Sequence, residues 1–258
     1  MPDISKKNTF LNSNYLKLIA IIIMVYDHLI VMFFPQETVL YFILRVPGRI
    51  AAPVICYLIA EGYHYTSNRK RYLIRLLIFS VISHFPYILC FFRDSRYGFS
   101  PIEATSVIWA LAMGLTALTA IKSDKIHIVL KILILAACCA ASYTANWNFV
   151  AVLWITAFGL FRNSLKRQII AFCVIGIVFH LLPAYLRFML SRTVYLHWYH
   201  LGIFLAVPLF ALYNGKLGKK SKIISWSFYL FYPVHLIIFY LVDVFTPLKD
   251  IIEKLFSA

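Results

Sequence analysis

The 258 residues are 62% hydrophobic and only 14% charged, and a mean hydropathy of +0.81 leaves too little polar surface to enclose a water-soluble core. The formal charge of +15 does not mark a nucleic-acid binder, because Lys and Arg sit in short clusters between apolar runs and form no basic domain or stripe. What is expected instead is an all-α, polytopic transmembrane helix bundle, a single integral-membrane domain over residues 1–258 with the lipid bilayer as its first partner.

Met1 to Asn14 are polar, and the apolar run behind them lacks a small-residue cleavage site, which predicts a retained first helix. About nine spans follow, near 15–34, 40–63, 72–92, 103–121, 127–144, 149–161, 168–184, 197–213 and 223–245. Polar punctuation separates them, and no internal repeat divides the chain. Cys56, Cys90, Cys138, Cys139 and Cys173 lie in or at the ends of apolar runs, with neither a disulfide framework nor a metal-ligand spacing, so no metal is expected.

Basic residues near span ends are retained on the cytoplasmic side. Counted over alternating loops, 17 of them fall on one side, among them Lys6, Lys7, Lys17, the Arg69-Lys70-Arg71 turn, Arg162 and Lys216 to Lys222. Only 8 fall on the other: Arg45, Arg49, Arg93, Arg96, Arg187, Arg192, Lys249 and Lys254. That division predicts a cytosolic N-terminus and, with an odd number of spans, an external C-terminus.

Ionisable groups within spans are expensive and mark pathways or sites. Asp27 and His28 fall in the first span, Arg45, Arg49 and Glu61 in the second, His84 in the third, His180 in the seventh and His235 in the ninth. At ~1.5 Å per residue the four imidazoles lie roughly 18–20 Å from the inner ends of their helices, with Arg49 near the same level, and so form one layer. Adjacent helical residues diverge by ~100°, so Asp27 is as well placed to pair with Arg45 or Arg49, which share a face, as to orient His28. Lys17 and His28 are eleven residues apart on one face, ~16 Å along the axis.

The runs Leu16 to Ala20, Met24-Val25-Tyr26-Asp27-His28, Leu44 to Pro53 and Ile59 to Tyr63 resemble the N-terminal signature of the TraX family, named for the F-pilin N-acetylase. Asn68 to Leu76 is similar to its basic cytosolic turn, and Leu212-Tyr213-Asn214-Gly215 and Phe231-Tyr232-Pro233-Val234-His235-Leu236 to its C-terminal blocks. Lys17 and His28 also resemble the first-helix motif of the broader acyltransferase 3-like transmembrane superfamily. Two stretches depart from the pattern: His84 stands where many relatives carry an acidic residue, and Asn146-Trp147-Asn148 replaces an acidic Asp-Trp or Asp-Tyr motif.

The resemblance implies an acetyltransferase of the bacterial cytoplasmic membrane that uses cytosolic acetyl-CoA to modify a hydroxyl or amine acceptor in the envelope, either a pilin-like N-terminus or a surface glycan. Neutral imidazole suits the general base, which makes His28 the candidate, assisted by Asp27, Arg49, Arg45 and His235. Lys17, Arg69, Arg75, Asn214, Lys219 and Lys220 are the candidate CoA-binding groups, with Glu61 expected to pair with one of their cations. A transporter or flippase of a small or lipid-linked substrate is the alternative, since polar residues at one depth also suit a substrate path and Pro53, Pro86, Pro183, Pro208 and Pro233 fall in or near spans.

Overall fold

The computed structural model describes residues 9–35, 38–92, 104–191, 198–219 and 222–256, and they are all-α apart from two isolated bridges, Leu11 with Tyr213 and Thr105 with Ala145. Lys220 and the basic residues Lys6, Lys7, Arg93, Arg96 and Arg192 lie outside the described residues.

The chain order is α1 Ser13–Phe33, α2 Val39–Gly48, α3 Ala51–Tyr65, α4 Arg69–Phe91, α5 Val107–Ile121, α6 Ile128–Ala141, α7 Asn148–Leu160 and α8 Leu165–Gly176. A π turn at Ile177–Leu181 leads into α9 Leu182–Ser191, a 3-10 segment at Trp198–Ala206 into α10 Val207–Leu212, and α11 Lys222–Phe245 and α12 Leu248–Phe256 close the chain. Polar side chains start the helices where the apolar runs begin. Asn12, Thr38, Asn68 and Ser164 each accept a hydrogen bond from a backbone N–H of the first turn.

Five stretches are long and apolar enough to cross a membrane: Ser13–Phe33, Val39–Tyr65, Arg69–Phe91, Leu165–Leu190 and Trp226–Phe245. Val107–Ile121, Ile128–Ala141, Asn148–Leu160 and Trp198–Leu212 are shorter apolar helices, so each apolar run of the sequence holds a helical element. Large apolar side chains such as Ile132 and Leu133 on α6, Val174 on α8 and Ile238 on α11 face outward. That is the distribution of a helix bundle solvated by lipid, and the chain is an integral membrane protein.

The densest packing is around the short helix α7, where Trp154 and Ile155 are 0% exposed and Phe158 1%, pressed against α3 and α5. Three runs fold less simply than uninterrupted spans. Pro47 has no N–H, and the N–H groups of Arg49 and Ile50 bond back three residues to Val46 and Pro47 at 3.2 Å each, which splits 39–65 into α2 and α3. The seventh run continues past residue 184 through the π turn, and the eighth is mostly 3-10. The helix α12 is amphipathic, contacts α1 and α11, and lies beyond the last of the nine predicted spans.

Candidate functional site

Helices α1 and α11 run side by side in the same direction, because Lys17 Nζ lies 5.0 Å from the Phe228 ring and, three turns on, His28 meets His235. His28 Nδ1 is 2.9 Å from His235 Nε2, and His235 Nδ1 is 2.8 Å from the Phe231 carbonyl oxygen. A carbonyl only accepts, so His235 carries its proton on Nδ1 and, with both rings neutral, its Nε2 accepts from His28 Nδ1–H. The pairing leaves His28 Nε2 as the ring nitrogen with a free lone pair. It has no hydrogen-bond partner among the described residues. Phe91 and Tyr232 hold the His28 ring edge-on at centroid separations of 5.2 and 6.3 Å.

Asp27, one residue earlier, turns away from His28's partner and takes both arginines. Arg49 Nη2 donates to Asp27 Oδ2, and Arg45 Nη1 lies 3.0 Å from Oδ1 in an ion pair too far out of line to be a hydrogen bond. The break after α2 aims the two guanidiniums at one carboxylate, and Gly48 lets it come close: a Cβ there would land on the Asp27 carboxyl. Gly202 does the same for the 3-10 segment, where a Cβ would meet the Val46 carbonyl, so Tyr199 reaches the arginines. The Tyr199 ring lies 5.1 Å from the Arg45 guanidinium and 5.4 Å from that of Arg49, with Tyr41 at 5.6 Å from Arg45 and Trp147 at 5.1 Å from Arg49.

Trp147 and Asn148 hold positive φ angles of 65° and 36°, uncommon for side-chain-bearing residues and typical of positions where surrounding structure imposes the conformation. The π turn of α8–α9 brings His180 onto the same wall, stacked on His200 with centroids 4.6 Å apart and edge-on to Trp147 at 5.3 Å. His180 therefore joins the arginine side of the layer, not His28. His84 does not join at all: it is half-buried on α4 and packs against Phe85 of its own helix at 5.8 Å. The four imidazoles of that layer do not surround one centre, since His28 pairs with His235 and His180 with His200 while His84 packs apart, because residue counting sets depth along a helix but not the direction a ring faces. Tyr41, Trp147, Tyr199 and His200 were missed as site residues. The only signal for any of them was the departing Asn146-Trp147-Asn148 stretch.

Among the groups near the other end, Lys17 and Arg75 are half-buried against α11, and Arg75 lies 5.8 Å from the Tyr229 ring with its Nε unpartnered among the described residues. Arg69 is exposed over Tyr63 at 4.3 Å, and Lys219 is exposed with its carbonyl accepting from Asn14 Nδ2 at 3.0 Å. The Asn214 side chain accepts from the Lys216 N–H at 2.9 Å, a turn-forming contact. Among the described residues Glu61 pairs with none of Lys17, Arg69, Arg75 and Lys219. Arg162, in the α7–α8 turn, grips it at 2.9 and 3.4 Å, because Glu61 faces α7 across the bundle. Burial lowers the Arg162 pKa, but the hydrogen bond and charge of Glu61 outweigh it and raise the guanidinium overall. Tyr213 donates its one hydroxyl proton to Glu61 at 3.3 Å, so Ser13 is the donor in its 2.9 Å bond to Tyr213.

A helical bundle of lipid-facing apolar surface around an aligned histidine pair and a buried Asp–Arg–Arg cluster defines a membrane-embedded protein with polar chemistry at its centre. The chain belongs to the TraX protein family, whose model matches residues 12–243. It is also 30% identical over 236 residues to the probable fimbrial assembly protein FimC, serogroup H1, of Dichelobacter nodosus, covering 89% of this chain and 95% of that protein. No solved structure matches it.

Proposed function

We propose that the protein is a membrane-embedded acetyltransferase moving an acetyl group from cytosolic acetyl-CoA to a hydroxyl or amine acceptor in the envelope, a pilin-like N-terminus or a surface glycan. The observation that carries this reading is the bare Nε2 of His28, whose tautomer is set by the His235–Phe231 relay. TraX family membership and the likeness to a fimbrial assembly protein support it. In the same reading the whole chain is one domain crossing the bacterial cytoplasmic membrane nine times, with its N-terminus inside and its C-terminus outside.

Acetyl-CoA enters from the inner side, its phosphates meeting Lys17 and Arg75, with Arg69 and Lys219 at the rim. The ~16 Å from Lys17 to His28 along α1 suits an extended pantetheine arm, which would deliver the thioester to the ring. His28 Nε2 takes the proton of the acceptor O–H or N–H as the acceptor lone pair attacks the thioester carbonyl carbon. Arg49 stabilises the oxyanion that forms. The C–S bond then breaks, and the His28 proton leaves with the CoA thiolate, restoring the neutral ring.

A transporter or flippase is the second reading, favoured by the break between α2 and α3 and by the π turn, since interrupted helices line substrate paths. One experiment separates them. Purified protein in nanodiscs, given acetyl-CoA and an envelope extract as acceptor source, should release CoA thiol ~10²–10⁴ times faster than His28→Ala. Equal rates overturn the enzymatic reading.

A further inference from the structure

Two buried guanidiniums share a single carboxylate at Asp27. Arg45 is 7% exposed and Arg49 6%, and among the described residues no second carboxylate pairs with either. Among the described residues this leaves one positive charge unbalanced at the depth of His28, which is costly in a low-dielectric interior unless an anion completes it. The deficit is local to Arg45. Among the described residues, Arg49 donates directly to Asp27, whereas Arg45 makes only the out-of-line ion pair, and its Nε and Nη1 have no hydrogen-bond partner. Arg49 Nε is likewise unpartnered. The aromatic rings around them, Tyr41, Tyr199 and Trp147, soften the charge through their faces but supply no oxygen to the forks.

We propose that this surplus charge is a docking point for an anionic group on the acceptor, a carboxylate or phosphate held by Arg45, so that the acetyl acceptor is an acidic molecule. The proposal rests on the acetyltransferase reading for the word acceptor, but not for the binding itself. A guanidinium fork matches the paired oxygens of either anion, and the flanking rings give a flat wall for the body that carries it. The acceptor's charge would thereby be fixed within the same layer as His28 Nε2, and neutral acceptors would leave Arg45 unpaired and be rejected.

The test uses the full chain in phosphatidylcholine nanodiscs and a low-salt zwitterionic buffer, with glucuronate and glycerol phosphate as the anionic probes and glucose and glycerol as neutral controls. At saturating probe, at least one anion should raise the thermal unfolding midpoint by roughly 5 °C while the neutral controls do not. Which anion acts separates the carboxylate from the phosphate source. Arg45→Met should lose this response and, without anion, be no less stable than wild type, since Asp27 and Arg49 remain a balanced pair. Arg45→Lys, a second variant that keeps the charge without the fork, should retain a weakened response. No rise with either anion, an undiminished rise in Arg45→Met, or a midpoint for Arg45→Met well below wild type would each overturn the proposal. His28→Ala should keep the anion response while losing thiol release. If that variant still releases thiol, the enzymatic reading fails while the anion site stands.

Discussion

Replacing His235 with Phe tests the relay at the centre of the site. The substitution keeps an aromatic ring between Phe231 and Phe239, on which His235 now packs at 4.9 and 5.7 Å, and deletes the acceptor of the His28 Nδ1–H together with the Nδ1–H that His235 gives the Phe231 carbonyl. A buried donor left without a partner costs ~1–3 kcal/mol, here charged against the one tautomer in which Nε2 can act as a base. Each 1.36 kcal/mol is tenfold in rate, so acetyl transfer should fall roughly 5- to 150-fold, reaching only the low end of the ~10²–10⁴ expected for His28→Ala. Because Lys17 and Arg75 are untouched, the KM for acetyl-CoA should hold steady and the loss should appear in kcat. His235→Gln, whose amide oxygen can accept from Nδ1–H, should recover part of it. The assay is thiol release in nanodiscs with the envelope extract, alongside the unfolding midpoint of each variant. A kcat for His235→Phe within twofold of wild type, in protein that folds normally, would refute the argument that His235 sets the tautomer.

Two further substitutions probe the supports of the site. Gly48→Ala puts a methyl where the Asp27 carboxyl sits and should break the buried cluster at a cost of ~3–5 kcal/mol, seen as a sharply lower unfolding midpoint; a midpoint near wild type would mean that Asp27 has room the packing denies it. Glu61→Gln strips Arg162 of its charge partner, and because the Arg162 side chain is 32% exposed the loss should be only about 1–2 kcal/mol, with kcat little changed, as read by the same two assays.

Much of the bundle was legible because bilayer thickness imposes a length on apolar runs, and each run does hold a helical element. The pairing of Asp27 with both arginines was among the outcomes that the ~100° step between neighbours allowed, and Arg45 and Arg49 share a face as their spacing requires. Depth alone could not say that His84 turns to Phe85 while His235 turns to His28, because facing direction depends on how helices rotate against one another. The Glu61–Arg162 pair was hidden for a similar reason: Arg162 read as one more retained cytosolic charge, and nothing local reveals that α3 packs on α7. Trp147's left-handed backbone and the His180–His200 stack come from long-range packing against the 3-10 segment and the π turn, and neither leaves a periodic trace in the chain.

The residues just ahead of α1 are stitched to the turn ahead of α11. Leu11 N–H bonds to the Leu212 carbonyl, Asn214 N–H to the Leu11 carbonyl and Ser13 N–H to the Lys216 carbonyl, across a separation of about two hundred positions. During synthesis α1 must therefore wait, provisionally seated in lipid, until α10 and the turn behind it have followed into the bilayer. The imidazole pair spans the same seam, so a nascent chain halted before α11 would possess His28 without the neighbour that orients it. The seam between the two ends of the bundle and the histidine pair are completed together, when α11 inserts.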